Sequence, residues 1–411
     1  MVELETLNKK ITERRARIGY VGLGKMGLPS ALMMADAGFN VVGVDVSEAV
    51  VSAVNELHSP YYEPEAEAYL ARNRERFSAS KDYEVLKDCD VIACAVPTII
   101  DANRKTDYSL VAASFATIGK LLRKNTLVVF QSNVTPGVTE ELVAKKLEEN
   151  SGLKRGKDFL LAYVPIQAKA GQVFKDLKTY DRVVGGIDAA STQTAALLFR
   201  QIPGPKVIEA SSCKVAELQK LYANVYKDIS IAAANELANY CEGEGIDVYE
   251  VIRLCNTVPG IHILEPGIGV GGNCLPVDPY FYIERAKEIG VEIRLAPVAR
   301  QINDERPLTT AKKIAALAQK KKARKTVLLG IAFRPNTHET AYSPALDVYR
   351  QLKKILPSTK AFDPLVGEAR LRQLGVEVAT EKEVQGAELL VKLVSHDSFK
   401  NLTAAIDVKK V

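Results

Sequence analysis

The sequence predicts an α/β protein. It reads as an N-terminal Rossmann-type doubly wound sheet, a helical middle domain with a long central helix, and a smaller C-terminal α/β domain. Three observations predict this. Short apolar strands alternate with helical patterns from Arg17 to about Gly185. The stretch Cys213 to Cys241 keeps helical spacing with neither Pro nor Gly. Strand-type patterning then resumes beyond a basic segment around Lys320. Alternating strands and helices imply a mostly parallel sheet covered on both faces. The expected domains are residues 1–210, 211–320 and 321–411.

Arg17–Val21 is the first buried strand, and Gly22-Leu23-Gly24-Lys25-Met26-Gly27 follows it. An apolar helix from Leu28 to about Ala37 ends at Gly38, and Asn40–Asp45 forms the next strand. This βαβ context is what a dinucleotide-binding glycine loop requires. Gly22, Gly24 and Gly27 permit a tight turn and close approach of a pyrophosphate to the helix N-terminus, with Lys25 and Met26 between them. Asp45 would accept hydrogen bonds from the adenosine ribose and repel a 2′-phosphate, which favours NAD over NADP. Further strands are predicted at Val91–Val96, Leu127–Gln131, Phe159–Val164 and Arg182–Gly185, with helices at Tyr108–Leu122 and Thr139–Glu149.

On the long helical pattern, Val215, Leu218, Tyr222, Val225 and Ile229 form an apolar stripe. Lys220 and Asn224 are four apart and so share a face, and Glu217 and Asp228 extend it into a polar stripe opposite the apolar one; such a polar stripe usually means a solvated surface. Beside a nicotinamide site the pair also fits chemistry: Lys stabilises a developing alkoxide, and Asn holds a substrate or water oxygen. Helices are expected at Val248–Cys255, Pro279–Ile289 and roughly Ala296–Asp304. The stretch Gly267–Phe281 places Cys274 at the end of a glycine-rich loop, and Asp278-Pro279 reads as a helix start with Asp at the N-cap. A thiol beside a helix N-terminus is favoured as the thiolate and so suits a nucleophile. Strands at Thr326–Gly330, Lys360–Asp363 and Glu388–Leu393 surround a helix at Ser343–Leu356 in the C-terminal domain.

Composition narrows the class. Lys320-Lys321-Lys322 and Arg324-Lys325 carry no interleaved aromatic residues, and the net charge is only +5, so a nucleic-acid surface is not expected. The six cysteines form no CxxC pair and the four histidines no zinc spacing, so no metal is expected and free thiols fit a reducing cytoplasm. Met1–Arg17 has no apolar signal core, and no apolar run is long enough to span a bilayer.

With these residues in view, the chain resembles the UDP-glucose/GDP-mannose dehydrogenase family from about Ile18 to Phe399. The matching pieces are Val21–Pro29, Val96-Pro97-Thr98, Pro136-Gly137, Ala216–Lys220 with Asn224, Asn235-Glu236, Gly271–Phe281, Gly330–Thr337, Ser343-Pro344 and Asp363-Pro364. The Gly271–Phe281 loop is most similar to the branch acting on UDP-N-acetylhexosamines. The resemblance implies oxidation of a nucleotide-sugar C6 alcohol to the uronic acid with NAD, for polysaccharide biosynthesis, in a homodimer joined through the central helix. It implies that Val96, Pro97, Thr98, Ser132 and Asn133 line the cofactor. It implies that Gly267, Gly269, Gly271, Gly272, Asn303, Phe333 and Arg334 serve the substrate. Cys274 becomes the nucleophile, Lys220 the oxyanion-stabilising residue, Asn224 a substrate or water ligand, and Asp278 a partner of the catalytic water.

Five departures stand against that pattern. Ile166-Gln167 replaces a Glu assigned to acid/base work on thioester hydrolysis. Asn133 replaces a Thr, Asn273 a His, and Gly260 an Arg of this branch. Ala341 stands where relatives carry an Arg that reaches a neighbouring subunit's substrate. Arg300, Asn303, Arg306 and Arg334 are the remaining candidates for anion contacts, and Lys169, Lys220 or Asp278 for the missing Glu. Two readings follow: a working four-electron dehydrogenase, or a diverged relative that stops at a two-electron oxidation or binds NAD and a nucleotide sugar without full turnover.

Overall fold

A computed structural model describes residues 3–101 and 104–410. Contacts divide the chain into two compact units, one ending at Tyr222 and the other beginning at Ala223. The division falls inside one helix, Cys213–Glu244, of 32 residues.

The first unit is built on an eight-stranded sheet. Its strands are β1 (Arg17–Val21), β2 (Asn40–Val44), β3 (Phe77–Ser80), β4 (Val91–Cys94), β5 (Leu127–Phe130), β6 (Leu160–Tyr163), β7 (Arg182–Gly186) and β8 (Val207–Glu209). The order is β8-β7-β6-β5-β4-β1-β2-β3, parallel throughout except where β7 runs antiparallel to β6. β4, β5 and β6 are buried at every position because helices cover both faces. Side chains alternate between two cores: Ile18, Tyr20, Val91, Leu127 and Val129 enter one, and Val21, Ile92, Cys94, Val128 and Phe130 the other. β3 escaped prediction because Phe77-Ser78-Ala79-Ser80 is short and half polar. The helix Leu4–Thr12 escaped too, since only Leu7 and Ile11 of its mostly polar sequence are buried.

β1 sits between β2 and β4, with Tyr20 opposite Gly43 and Ala93. The chain leaves β1 toward β2 and later returns to β1's other side, so the C-terminal ends of β1 and β4 flank the point where strand order reverses. Ligands of doubly wound sheets bind at such a point.

In the second unit, helices Val248–Cys255, Asp278–Glu288 and Leu295–Lys320 accompany the remainder of the long helix. A four-stranded parallel sheet follows: β9 (Thr326–Leu329), β10 (Lys360–Phe362), β11 (Leu389–Lys392) and β12 (Ile406–Asp407), in the order β10-β9-β11-β12. Helix Pro344–Ile355 packs on it, with Ser343 as N-cap accepting from the Leu346 N–H and Pro344 in the first turn. No helix among the described residues is long and apolar enough to cross a membrane.

Two element boundaries differ from expectation. Leu295–Lys320 does not stop at Asp304 but passes through Pro307. The proline withholds the N–H that would bond the Asn303 carbonyl, and packing of Ala311, Ile314 and Ala318 into the C-terminal core outweighs that loss. The basic Lys320–Lys322 cluster therefore ends this helix, where cations meet the negative end of its dipole. The helix after Cys274 has Val277 rather than Asp278 at its N-cap, with no side-chain cap.

Candidate functional site

In the first unit, each glycine of the β1 loop has its own reason to lack a side chain. Gly22 has φ +91°, and a Cβ there would lie 2.5 Å from the Ala95 carbonyl oxygen. A Cβ on Gly27 would lie 1.9 Å from the Gly22 carbonyl oxygen, so helix and strand could not approach as they do. A Cβ on Gly24 would meet nothing within 4 Å. That open side is where a pyrophosphate fits. The following helix, Gly27–Asp36, has Met26 at its N-cap and no side chain capping it, which leaves its N-terminus to an anion. Lys25 and Met26 are half-buried in the same turn.

Asp45 follows β2 and braces the loop. Its Oδ2 accepts the Leu23 N–H and its Oδ1 the Ser47 N–H, each at 2.9 Å. The ends of β4 and β5 are laced together beside it. Ser132 Oγ donates to the Val96 carbonyl at 2.6 Å, and Thr98 Oγ1 donates to the Asn133 carbonyl at 2.7 Å. Pro97, between those contacts, is exposed. The structure thus brings every expected cofactor residue to the ends of β1, β2, β4 and β5, and this arrangement fits a dinucleotide.

Glu217 corrects the reading of the long helix as having a solvated polar face. It is fully buried, accepting the Gly137 N–H at 2.5 Å, the Thr139 N–H at 2.8 Å and the Thr139 hydroxyl at 2.6 Å. Burial pushes its carboxyl above the usual carboxylate range, and those donors pull part of the way back. Meanwhile Val215, Leu218 and Tyr222, from the apolar stripe, are exposed, while Val225 is buried. Periodicity located both faces but could not say which one a neighbour covers. Lys220 is half-buried one turn before Asn224. Ile166 belongs to the apolar core of the sheet, and the next residue, Gln167, donates from Nε2 to Gln219 Oε1 at 3.1 Å.

In the second unit, Cys274 is exposed, and its carbonyl accepts the N–H groups of Val277 (3.0 Å) and Asp278 (2.8 Å). The Cys274 backbone is thereby fixed one tight turn before helix Asp278–Glu288. Asp278 is buried, and its Oδ2 accepts from Asn224 Nδ2 at 2.6 Å. The expected cap role gives way because this carboxylate is spent on the long helix instead of on its own first turn.

The loop glycines expected at the substrate are held by protein. A Cβ on Gly269 would lie 2.8 Å from Pro344 Cβ, and one on Gly271 2.7 Å from Phe333 Cβ. Gly272 has φ +94° and donates to the Ala341 carbonyl at 3.0 Å. Gly267 donates to Asn235 Oδ1 at 2.8 Å, and its carbonyl accepts from Arg306 Nε at 2.9 Å. Asn303, expected at the substrate, is also held by protein. It is 1% exposed, donates to the Asp228 carboxylate and backbone carbonyl, and accepts from Asn235. Arg300, 3% exposed, donates to Asp228 at 2.6 Å and pairs with Asp304. Asn303, Arg300 and Asp228 therefore form a buried support behind the Gly267 end of the loop. Burial raises the Asp228 carboxyl, with Arg300 opposing. Phe333 and Arg334 stay half-buried on the loop after β9, the guanidinium 5.5 Å from the Phe333 ring centre.

Comparison with known proteins agrees with this layout. Three profiles of the UDP-glucose/GDP-mannose dehydrogenase family match in order: the NAD-binding domain over residues 16–203, the central domain over 214–305 and the UDP-binding domain over 327–411. A UDP-N-acetyl-D-mannosamine dehydrogenase of Pyrococcus horikoshii is 32% identical over 392 residues, covering 94% of this chain and 91% of its own. An NDP-N-acetyl-D-galactosaminuronic acid dehydrogenase of Ralstonia solanacearum is 30% identical over 397 residues, covering 94% and 92%. The solved P. horikoshii UDP-D-ManNAc dehydrogenase superposes with a TM-score of 0.87 at 31% identity, over 95% of this chain and 93% of that one. The chain belongs to the UDP-glucose/GDP-mannose dehydrogenase family and is an NAD-dependent oxidoreductase of the UDP-sugar dehydrogenase type.

Proposed function

We propose that this family member oxidises the C6 alcohol of a UDP-hexose, with a UDP-N-acetylhexosamine preferred, to the uronic acid through Cys274. The observation that carries the reading is an exposed cysteine, its backbone held one turn before a helix whose first carboxylate, Asp278, is bound by Asn224. The domains would divide the work as residues 1–210 for NAD, 211–320 for the nucleophile and the dimer helix, and 321–411 for the nucleotide sugar.

NAD, when bound at the β1 loop, supplies the hydride acceptor for both oxidations. Lys220 stabilises the alkoxide as the alcohol loses its proton and hydride to become an aldehyde. The Cys274 thiolate adds to that aldehyde carbon, and Lys220 holds the resulting oxyanion. Loss of the second hydride collapses the thiohemiacetal to a thioester. Water, oriented by Asn224 and Asp278, attacks the carbonyl, the C–S bond breaks, and the thiolate is regenerated. The balance is one alcohol, two NAD and one water giving one carboxylate, two NADH and three protons.

A second reading has its own observation. Ile166 lies in the apolar core and Gln167 bonds Gln219, so a side chain able to take a proton is missing where the family resemblance implies a Glu. On that reading the chain stops after two electrons, or holds NAD and sugar without full turnover. Exposed Val215, Leu218, Tyr222 and Tyr226, three or four residues apart on the long helix, support a homodimer through it. Free thiols and NAD use support a cytoplasmic enzyme serving polysaccharide assembly.

The test is incubation with NAD and a panel of UDP-hexoses and UDP-N-acetylhexosamines, with NADH followed by absorbance and products by mass spectrometry. Two NADH per uronic acid are expected. One NADH with released aldehyde, or an acyl group retained on Cys274, would establish the shorter cycle. Absence of NADH from every sugar despite NAD binding would reject the dehydrogenase reading.

A further inference from the structure

We propose that His396 is a positioning residue for the nucleotide end of the substrate, its neutral imidazole setting the loop that carries Phe333 and Arg334. The inference rests on the reading that this loop takes the UDP moiety.

His396 is 2% exposed. Its Nδ1 accepts the Asn336 N–H at 2.8 Å, so Nδ1 carries no proton, and Nε2–H donates to Asp363 Oδ2 at 3.2 Å. The same Asp363 oxygen accepts the N–H groups of Ile331 (2.7 Å) and Ala332 (3.0 Å). Phe333 and Arg334 therefore lie between two backbone anchors, Ala332 on one side and Asn336 on the other, and both anchors end on one Asp–His pair. Asn336 suits the turn this hold requires, since its φ is +56°, a left-handed conformation that Asn tolerates better than most residues other than Gly. Its side chain adds a second grip: Nδ2 donates to Asp397 Oδ2 and Oδ1 accepts the Asp397 N–H, each at 2.9 Å. The Phe399 ring stands edge-on to the imidazole at 5.4 Å and fixes its plane. A binding group held by such anchors loses less order when ligand arrives. An imidazole that lost its acceptor nitrogen would present a donor to the Asn336 N–H and open the bracket.

The full chain is titrated with UDP by calorimetry, and KM and kcat are measured with whichever sugar reacts, for wild type, His396→Phe, His396→Asn and Asp397→Ala. His396→Phe removes the acceptor and should weaken UDP binding about tenfold. His396→Asn can return an acceptor to the Asn336 N–H and should recover affinity to within about threefold of wild type. Asp397→Ala, at an exposed site, removes the acceptor of the Asn336 side-chain amide and a surface ion pair to Lys400, and should cost about threefold, which keeps the test alive if His396→Phe does not fold. KM for the sugar should rise while kcat and NAD affinity hold. Unchanged UDP affinity in His396→Phe, or in Asp397→Ala if the former does not fold, overturns the proposal, because a purely structural residue would lower only the melting temperature. Failure of wild type itself to bind UDP would reject the nucleotide reading of the loop, and the proposal with it.

Discussion

Asn224 Nδ2 stands 2.6 Å from Asp278 Oδ2 and ties the long helix to the first residue of the helix that follows Cys274. The carboxylate is 2% exposed, so its charge is compensated by designed contacts and not by bulk water. Asn224→Ala removes a charge-assisted bond and should cost about 1.5–3 kcal/mol of stability. It should also lower kcat by about 10–100-fold with NAD affinity intact, since one preorganised polar group is lost. Asp278→Asn keeps the shape and should lower kcat similarly. Steady-state kinetics with denaturant melts check both, and an unchanged kcat would make the pair structural only.

Gly24 and Gly27 should separate cofactor binding from folding. Gly24→Ala meets nothing in the protein, so stability should stay within about 0.5 kcal/mol, while NAD affinity falls at least about tenfold because a methyl group blocks the pyrophosphate. Gly27→Ala collides with the Gly22 backbone, which has no flexible end to yield, so stability and NAD binding should fall together. Thermal melts with and without NAD read both quantities.

Alkylation should pick out Cys274. Burial pushes the Cys89 thiol up to about 11 and Cys94 up to about 12, and raises Cys213 as well. Cys274 is exposed and Cys255 half-buried. Brief iodoacetamide treatment of the native protein should modify Cys274 first, with activity falling in step, as peptide mass mapping would reveal. Prior labelling of Cys255 with full loss of turnover would move the nucleophile elsewhere.

Acid should weaken the C-terminal domain through Asp363. Burial alone would raise its carboxyl. Hydrogen bonds from His396 and from the backbone of Ile331, Val366 and Ala332 outweigh burial and hold it below the usual range. A carboxyl depressed on folding adds stability that is complete above its unfolded value of about 4 and is lost as pH falls through the folded value. Asp363→Asn should therefore be less stable near neutrality and show a shallower loss below about pH 4. Denaturant melts of both proteins between neutrality and acid measure the slopes, and parallel slopes would contradict the assignment.

The glycine loop, the strands β1, β2 and β4 to β7 and the Cys274 loop were legible because each depends on neighbours in the chain: φ-permissive residues, two- and four-residue periods, a proline in a first turn. Glu63 shows the opposite case. Its carboxylate accepts the N–H groups of Gly171 and Val173, more than a hundred residues away, and no local signal announces that.

By itself the sequence determined the α/β class, the dinucleotide loop and the thiol loop, since backbone propensity and the apolar period are local properties. Tertiary structure decided which face of the Cys213–Glu244 helix is covered, burying Glu217 and Asp228 while Leu218 and Tyr222 stay exposed. It carried helix Leu295–Lys320 through Pro307, and it spent Asp278 on Asn224 instead of on a cap. In each case the deciding term was the burial of a surface, or the satisfaction of a buried polar group, by residues remote in the chain.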